Sequence, residues 1–322
     1  MFYLVEQVLE KQLEKTEKFY KGRGILICET AGGLFALKEF HGQEQKAENL
    51  FRLGEYLTER NISCDHMVKN SGDALITEGI DGTKYTFHHW VRGRECDAHN
   101  RMELVMAVSF LAGFHDACEG VRIGNEKTET VYEEYLRHDR ELRRIRKYIL
   151  ARKNKSEFER LYLSCIPGYL RQSERVLHDL SENRDIFEAH TAGMCHGDFN
   201  HHNAVTGSGG MTLIHMEHAR FDAQVSDLSN FLRKSLEKHD WSETLGLEML
   251  REYDRVHALN PADWLELYYR MSYPEKFWKI ANHYFQSAKV LESGNHYEKL
   301  QKELRQNAAR RRFLETLKRT RI

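Results

Sequence analysis

The sequence predicts an α+β fold in two lobes, a small mixed β-sheet lobe over residues 1–91 and a larger, mainly helical lobe over 92–322. Three observations carry that expectation. Short apolar runs joined by glycine turns dominate the first lobe, and long amphipathic segments fill most of the second. A single stretch interrupts those segments, "CHGDFNHHNAVTGSGGMTLIHMEHARFDAQVSDL" (195–228), and it reads as a polar loop followed by a glycine-turned hairpin. A chain of 322 residues suffices for two such lobes, each burying its own core.

Taken in order, a short helix-like start precedes "ILICETAGGLFALKEF" (25–40), two apolar runs whose Ala31-Gly32-Gly33 junction signals a hairpin. In "QEQKAENLFRLGEYLTER" (43–60), Leu50, Leu53 and Leu57 recur at three- and four-residue spacing, the mark of one crossing helix. "ALITEG" and "KYTFHHWV" read as strands turned at Asp81-Gly82. Beyond them helices are expected over 101–118, 130–152, 157–180, 243–256 and 262–318, and "NAVTG" and "TLIHM" as short strands around Gly207-Ser208-Gly209-Gly210.

Composition narrows the function classes. Lys and Arg (48) nearly cancel Asp and Glu (49), so no global field draws the chain to nucleic acid or to a membrane. The most apolar run, "LVMAVSFLAGF", is too short to span a bilayer, and "MFYLVEQVLEKQ" lacks the pattern of a secretory leader. The six cysteines form no CxxC pair, which argues for a reducing compartment and against a zinc ribbon or disulfide framework. The expected location is the cytoplasm.

The chemistry sits in the interrupting stretch. Phosphoryl transfer needs phosphates positioned, charge neutralised and an acceptor hydroxyl held in line. "HGDFNHHN" supplies His196, Gly197 and Asp198, with Asn203 five residues after the aspartate. At that spacing a loop carboxylate faces an acceptor while an amide oxygen reaches a metal. His196, Asp198 and Asn203 are the candidate catalytic set. Lys38, alternating with Leu37 in "LFALKEF", is placed like a lysine that grips nucleotide phosphates, and a carboxylate on the following helix should hold it. Glu48 is the expected partner and Glu44 the reserve.

With "WVRGRE" (90–95), "LAGFHDACEG" (111–120), "HGDFNHHN", "DLSNFLRK" (227–234) and "YPEKFWKIANHYF" (273–285), residues 25–300 resemble the aminoglycoside phosphotransferase and choline kinase superfamily, and more narrowly the spore coat protein CotS family of kinase-like proteins. The resemblance implies a bilobal kinase-like fold and ATP as nucleotide, with Mg or Mn. It implies Asp198 as base toward the hydroxyl of a small-molecule acceptor, Asn203 as metal ligand, and Asp227 as a tether of the catalytic loop. The segment from Phe87 to Val91, with His89, Trp90 and Val91, would present backbone groups to adenine. "KGRG" (21–24) is the only phosphate-loop candidate. Spore coat proteins are implied partners, and incorporation into the coat an implied destination.

The chain departs from that pattern at "LIHMEH", where the resemblance expects an aspartate at position 215. Magnesium prefers hard oxygen ligands, so His215 weakens a magnesium site and suits a borderline metal such as Mn or Zn. Glu217, two residues on, is expected on the same face of that strand, where it would supply the missing oxygen. Two functions therefore stand side by side: an ATP-dependent transferase, and a catalytically impaired pseudokinase serving as a spore-coat scaffold.

Other features read more plainly. The histidines of the stretch, His196, His201, His202, His215 and His218, match no zinc spacing. The basic segments 137–155 and 309–321 carry Leu142, Ile145, Ile149 and Leu150, and Phe313, Leu314 and Leu317, as the apolar faces of two helices. His115 reads as a packed helix residue and Cys195 as a small buried one.

Overall fold

The structure, a computed structural model, describes residues 16–21, 25–30, 32–124, 129–184, 190–287 and 295–321. The helix-like start and most of "KGRG" lie outside them. The first strands are β1 (Thr16–Lys21), β2 (Leu26–Thr30) and β3 (Gly33–Glu39), and β2 pairs with β3 from Thr30↔Gly33 to Leu26↔Leu37 as the glycine junction predicts. Helix α1 (Glu44–Glu59) follows, then β4 (Met67–Val68), β5 (Thr77–Glu78) and β6 (Lys84–His89). These six strands form one antiparallel sheet in the order β1-β2-β3-β6-β4, with β5 also on β6.

Strand alternation sorts the side chains of this sheet. Cys28, Leu37, Tyr85 and Phe87 pack on one face, and Ile25, Ile27 and Ala36 on the other with Trp90. Lys38 shares the parity of Ala36 and so leaves the Leu37 face. Helix α1 buries Ala47, Leu50, Leu53 and Leu57, the spacing read from sequence, and turns Glu44 and Glu48 to solvent.

Next come β7 (Arg94–Glu95) and α2 (Arg101–Cys118), whose first turn is capped by the Asn100 side chain accepting from Met102 N–H and Glu103 N–H. Strands β8 (Ala192–Cys195), β9 (Ala204–Gly207), β10 (Gly210–Leu213) and β11 (Arg220–Ala223) build the interrupting stretch. The β9–β10 hairpin carries β7 on its edge, and β8 pairs with β11. The second expected strand ends early: Leu213 is its last residue, and His215 takes a left-handed backbone (φ 67°) before a single 3-10 turn, Met216–His218.

The remaining helices are α3 (Val131–Ala151), α4 (Glu157–Glu182), α5 (Val225–Leu236), α6 (Glu243–Val256), α7 (Pro261–Ser272), α8 (Glu275–Ser287) and α9 (His296–Arg321). Capping boxes at Thr130/Glu133, Ser156/Glu159 and Asn260/Asp263 start three of them. Residues 262–318, expected as one helical run, hold three helices among the described residues, the first ending just before Tyr273-Pro274, where proline disfavours a helical residue ahead of it. Leu150, expected on the buried face of α3, is exposed, while Leu142, Ile145 and Ile149 join Phe158, Tyr162 and Ile166 in the core.

By compactness the chain divides into two units, Met1–Glu126 with Ala192–Phe231, and Lys127–Thr191 with Leu232–Ile322. The segments that carry Asp198, Asn203 and Asp227 thus group with the N-terminal sheet, whereas a boundary at residue 91 places them with the helices.

Candidate active site

The loop after β8 is held from behind. Asp227, on the first turn of α5 and buried, accepts from His196 N–H at 2.6 Å and Gly197 N–H at 3.0 Å, and His115 Nε2 on α2 lies 3.3 Å from the same carboxylate. Burial pushes the Asp227 carboxyl up, but the His115 hydrogen bond and the surrounding positive charges outweigh it, so the group stays below the usual aspartate value. Gly197 has φ 84°, and a Cβ there would stand 2.1 Å from the carbonyl oxygen of His218, so the tether demands glycine.

His196 is fully buried; its Nε2–H donates to Ile214 O at 2.9 Å and its Nδ1 accepts from Asp198 N–H at 3.3 Å. Both ring nitrogens are spent on the loop. In this arrangement His196 braces Asp198 from behind. Asn203 donates through Nδ2 to Asp198 O at 2.9 Å and, at 3.5 Å, to the Asp198 carboxylate. That turns its amide oxygen to the opposite side.

A second cluster forms around Lys38. Its ammonium is buried against the Asp65 carboxylate and lies 2.9 Å from Glu217 Oε2. Glu48 and Glu44 take no part; Glu48 accepts from Gln45 on the exposed side of α1. Asp65 replaces them because it follows the helix directly and reaches two places at once: besides Lys38, it accepts from His215 N–H at 2.7 Å. Burial disfavours the Lys38 cation, but the two carboxylates more than restore it and raise its pKa. His88, buried beside them, donates from Nδ1 to Asp65 O at 2.9 Å and holds Thr86 Oγ1 at 3.0 Å from Nε2. Burial, then the Lys38 charge, lowers its pKa to about 4.

His215 Nδ1 lies 2.7 Å from Glu217 Oε1. The contact comes from the left-handed turn rather than from a shared strand face. Glu217 thus gives one oxygen to His215 and the other to Lys38, and holds the histidine ring in place. Burial opposes its ionisation, yet His215 and Lys38 drive its pKa far below the usual range. With Nδ1–H donated to a carboxylate, Nε2 of His215 carries the lone pair, the arrangement common to metal-bound histidines.

Asp198, Asn203, His215, Trp90 and Val91 line one cavity of about 580 Å³, together with Ile25, Ile27 and Ile214. One wall is apolar and the other carries the loop. His89 N–H and Trp90 N–H are engaged inside the sheet, donating to His66 O and Leu34 O at 2.8 and 2.9 Å. Of the expected adenine-facing segment, the side chains of Trp90 and Val91 are what reach the cavity wall. Asp198, Asn203 and His215 bring a carboxylate, an amide and an imidazole to the lining of this one cavity.

Sequence reasoning missed Asp65, His115 as the backing of Asp227, and Arg220, which donates to Gly197 O at 3.2 Å. Among them only Asp65 left a trace, an acidic residue just past the helix.

Solved structures share this architecture. An aminoglycoside phosphotransferase from Alicyclobacillus acidocaldarius superposes with a TM-score of 0.84 at 21% identity, over 98% of this chain and 95% of that one. A spectinomycin phosphotransferase in complex with ADP and spectinomycin gives 0.67 at 11% identity, over 98% and 97%. An amicoumacin kinase in complex with AMP-PNP, Ca2+ and Ami gives 0.61 at 14%, over 98% and 96%. No curated protein matches in sequence. The profile of the family described as spore coat putative kinase YutH matches residues 6–317, and the chain belongs to that family, with the kinase-like fold of the aminoglycoside phosphotransferases and choline kinases.

Proposed function

We propose that the chain is an ATP-dependent phosphotransferase that acts on the hydroxyl of a small molecule. One observation carries the reading: Asp198 and Asn203 face a nucleotide-sized cavity on a loop whose backbone is anchored by Asp227 and whose base is oriented by His196. Asp198 takes the acceptor proton. Trp90, Val91, Ile25 and Ile27 supply the apolar surface for a base, and Lys38 meets the phosphates once Glu217 yields. A divalent cation held by Asn203 and His215 would neutralise charge on the transferred group. The ADP and AMP-PNP carried by the related structures support a nucleotide here. The family name supports spore coat proteins as partners and a passage from cytoplasm to coat.

A second reading rests on its own observation. Lys38 is neutralised by two carboxylates and histidine stands at the metal position, which favours a nucleotide-binding pseudokinase built into the coat. Thermal melting with ATP or ADP, each with and without Mg and Mn, tests what the readings share. Nucleotide at a hundred times its Kd adds about 2.7 kcal/mol; no shift under any condition removes both. Asp198→Asn then separates them, abolishing turnover in the transferase while leaving nucleotide affinity unchanged, because the carboxylate faces the acceptor.

A further inference from the structure

The helical unit contains a second cavity of about 540 Å³, lined by one face each of α4, α7 and α9 and by no residue of the catalytic loop. Three independent features mark it as built for a ligand. Tyr169 and Ser272, 97% and 91% buried by their 3% and 9% exposures, both line it, and neither Tyr169 Oη nor Ser272 Oγ has a hydrogen-bond partner among the described residues. Buried hydroxyls left unpaired cost free energy that a bound acceptor would recover.

The second feature is Gly168. It sits beside Pro167 in the interior of a 26-residue helix, two residues that disfavour helix at that place. No packed neighbour explains the glycine, since a Cβ built there would meet nothing within 4 Å. The missing side chain opens the cavity wall to whatever lies inside. Third, Arg175 and Arg311 line the same cavity, and neither guanidinium makes an ion pair or hydrogen bond among the described residues. Asp179 and Glu315 line the cavity too, four residues along their helices from the two exposed arginines, so the lining is balanced in net charge; what selects the guest is the pair of buried hydroxyl donors beside the two guanidinium forks, with the apolar sides of Tyr268 and Leu304 below.

We propose that this cavity binds a small organic anion, its acceptor oxygens met by Tyr169, Ser272 and the arginines and its apolar body laid against the backbone at Gly168. The inference is independent of the nucleotide reading, because its residues and its test involve no part of the catalytic loop. Phenyl phosphate and benzoate serve as anionic probes, benzyl alcohol as the neutral one, with binding to the full chain read by saturation-transfer NMR and by calorimetry.

The expected result is binding of at least one anion and weaker or no binding of benzyl alcohol. Gly168→Leu should raise the melting temperature of the free protein, since it improves helix propensity and its Cβ meets no neighbour, yet abolish probe binding. Arg175→Gln with Arg311→Gln should weaken the anion at least tenfold and leave benzyl alcohol unchanged. Binding of both anions at wild-type strength to Gly168→Leu would overturn the proposal, as would indifference to the two arginines or silence of both anionic probes. Phosphate-only or carboxylate-only binding identifies the head group and supports it.

Discussion

The catalytic loop and the Lys38 cluster, both in the unit built on the N-terminal sheet, solve opposite problems. Around Asp198 the buried polar groups satisfy one another from behind, through Asp227, His115 and His196, so that the working atoms face outward. Around Lys38 the working atoms satisfy one another: Asp65 and Glu217 take the ammonium, and Glu217 takes His215. The first arrangement is ready for a ligand. The second is complete without one, and on the proposed function a nucleotide would have to compete with Glu217 for Lys38.

The comparison breaks most visibly at Asp227. Asp227→Ala removes a buried carboxylate that serves two backbone N–H groups and His115, and it should cost about 3–5 kcal/mol. Urea unfolding should show the midpoint falling with its slope unchanged. A loss below about 1 kcal/mol would mean the loop is held by other contacts.

Acid should take the two clusters apart in sequence. His88 is neutral when folded, with a pKa of about 4 against 6.5 for the free side chain, so the unfolded chain binds the extra proton between those values. Its contribution is present above 6.5 and is lost as pH falls toward 4. Asp227, lowered from 3.8, loses its contribution only below that value. From pH 7 to pH 5 the wild type should lose about 2 kcal/mol through His88. The variant His88→Gln, which keeps a donor and an acceptor, should lose less by that amount; parallel pH profiles would show that His88 does not set the slope.

How legible this was follows from where each contact lies in the chain. The α1 face of Leu50, Leu53 and Leu57, the β2–β3 hairpin and the Asp198–Asn203 pair depend on neighbours a few residues apart, and periodicity or spacing reads them directly. The partner of Lys38 does not. Glu48 satisfied the expected helix placement, but helix periodicity turns it outward, and Asp65 lies 27 residues from Lys38 at the end of a segment with no regular pattern. Likewise His215 and Glu217 do meet, but through a left-handed residue that no strand alternation anticipates.

The second arrangement can be loosened at Glu217. Glu217→Gln removes one of the two charges on Lys38 and the carboxylate that orients His215, so nucleotide binding without metal should tighten about tenfold, or ~1.4 kcal/mol. Calorimetry at matched pH reads it. Weaker binding in the variant would show that Glu217 assists the nucleotide instead of competing with it.

The smallest expected effect is also the most specific to the departure at position 215. The left-handed backbone of His215 (φ 67°) is one that aspartate tolerates among non-glycine residues, so His215→Asp should fold with little loss. It replaces an imidazole nitrogen by a carboxylate oxygen on the wall that holds Asn203, the ligand type magnesium prefers. Some of that gain is spent, because the new carboxylate stands near Glu217 with Lys38 shared between the pair and Asp65. Mg-ATP should therefore tighten only a few-fold, about 1 kcal/mol, while the preference for Mn expected of the wild type should shrink. Titration of both proteins with ATP and each metal measures the difference, and identical magnesium dependence would place residue 215 away from the metal and leave the loop alone to hold it.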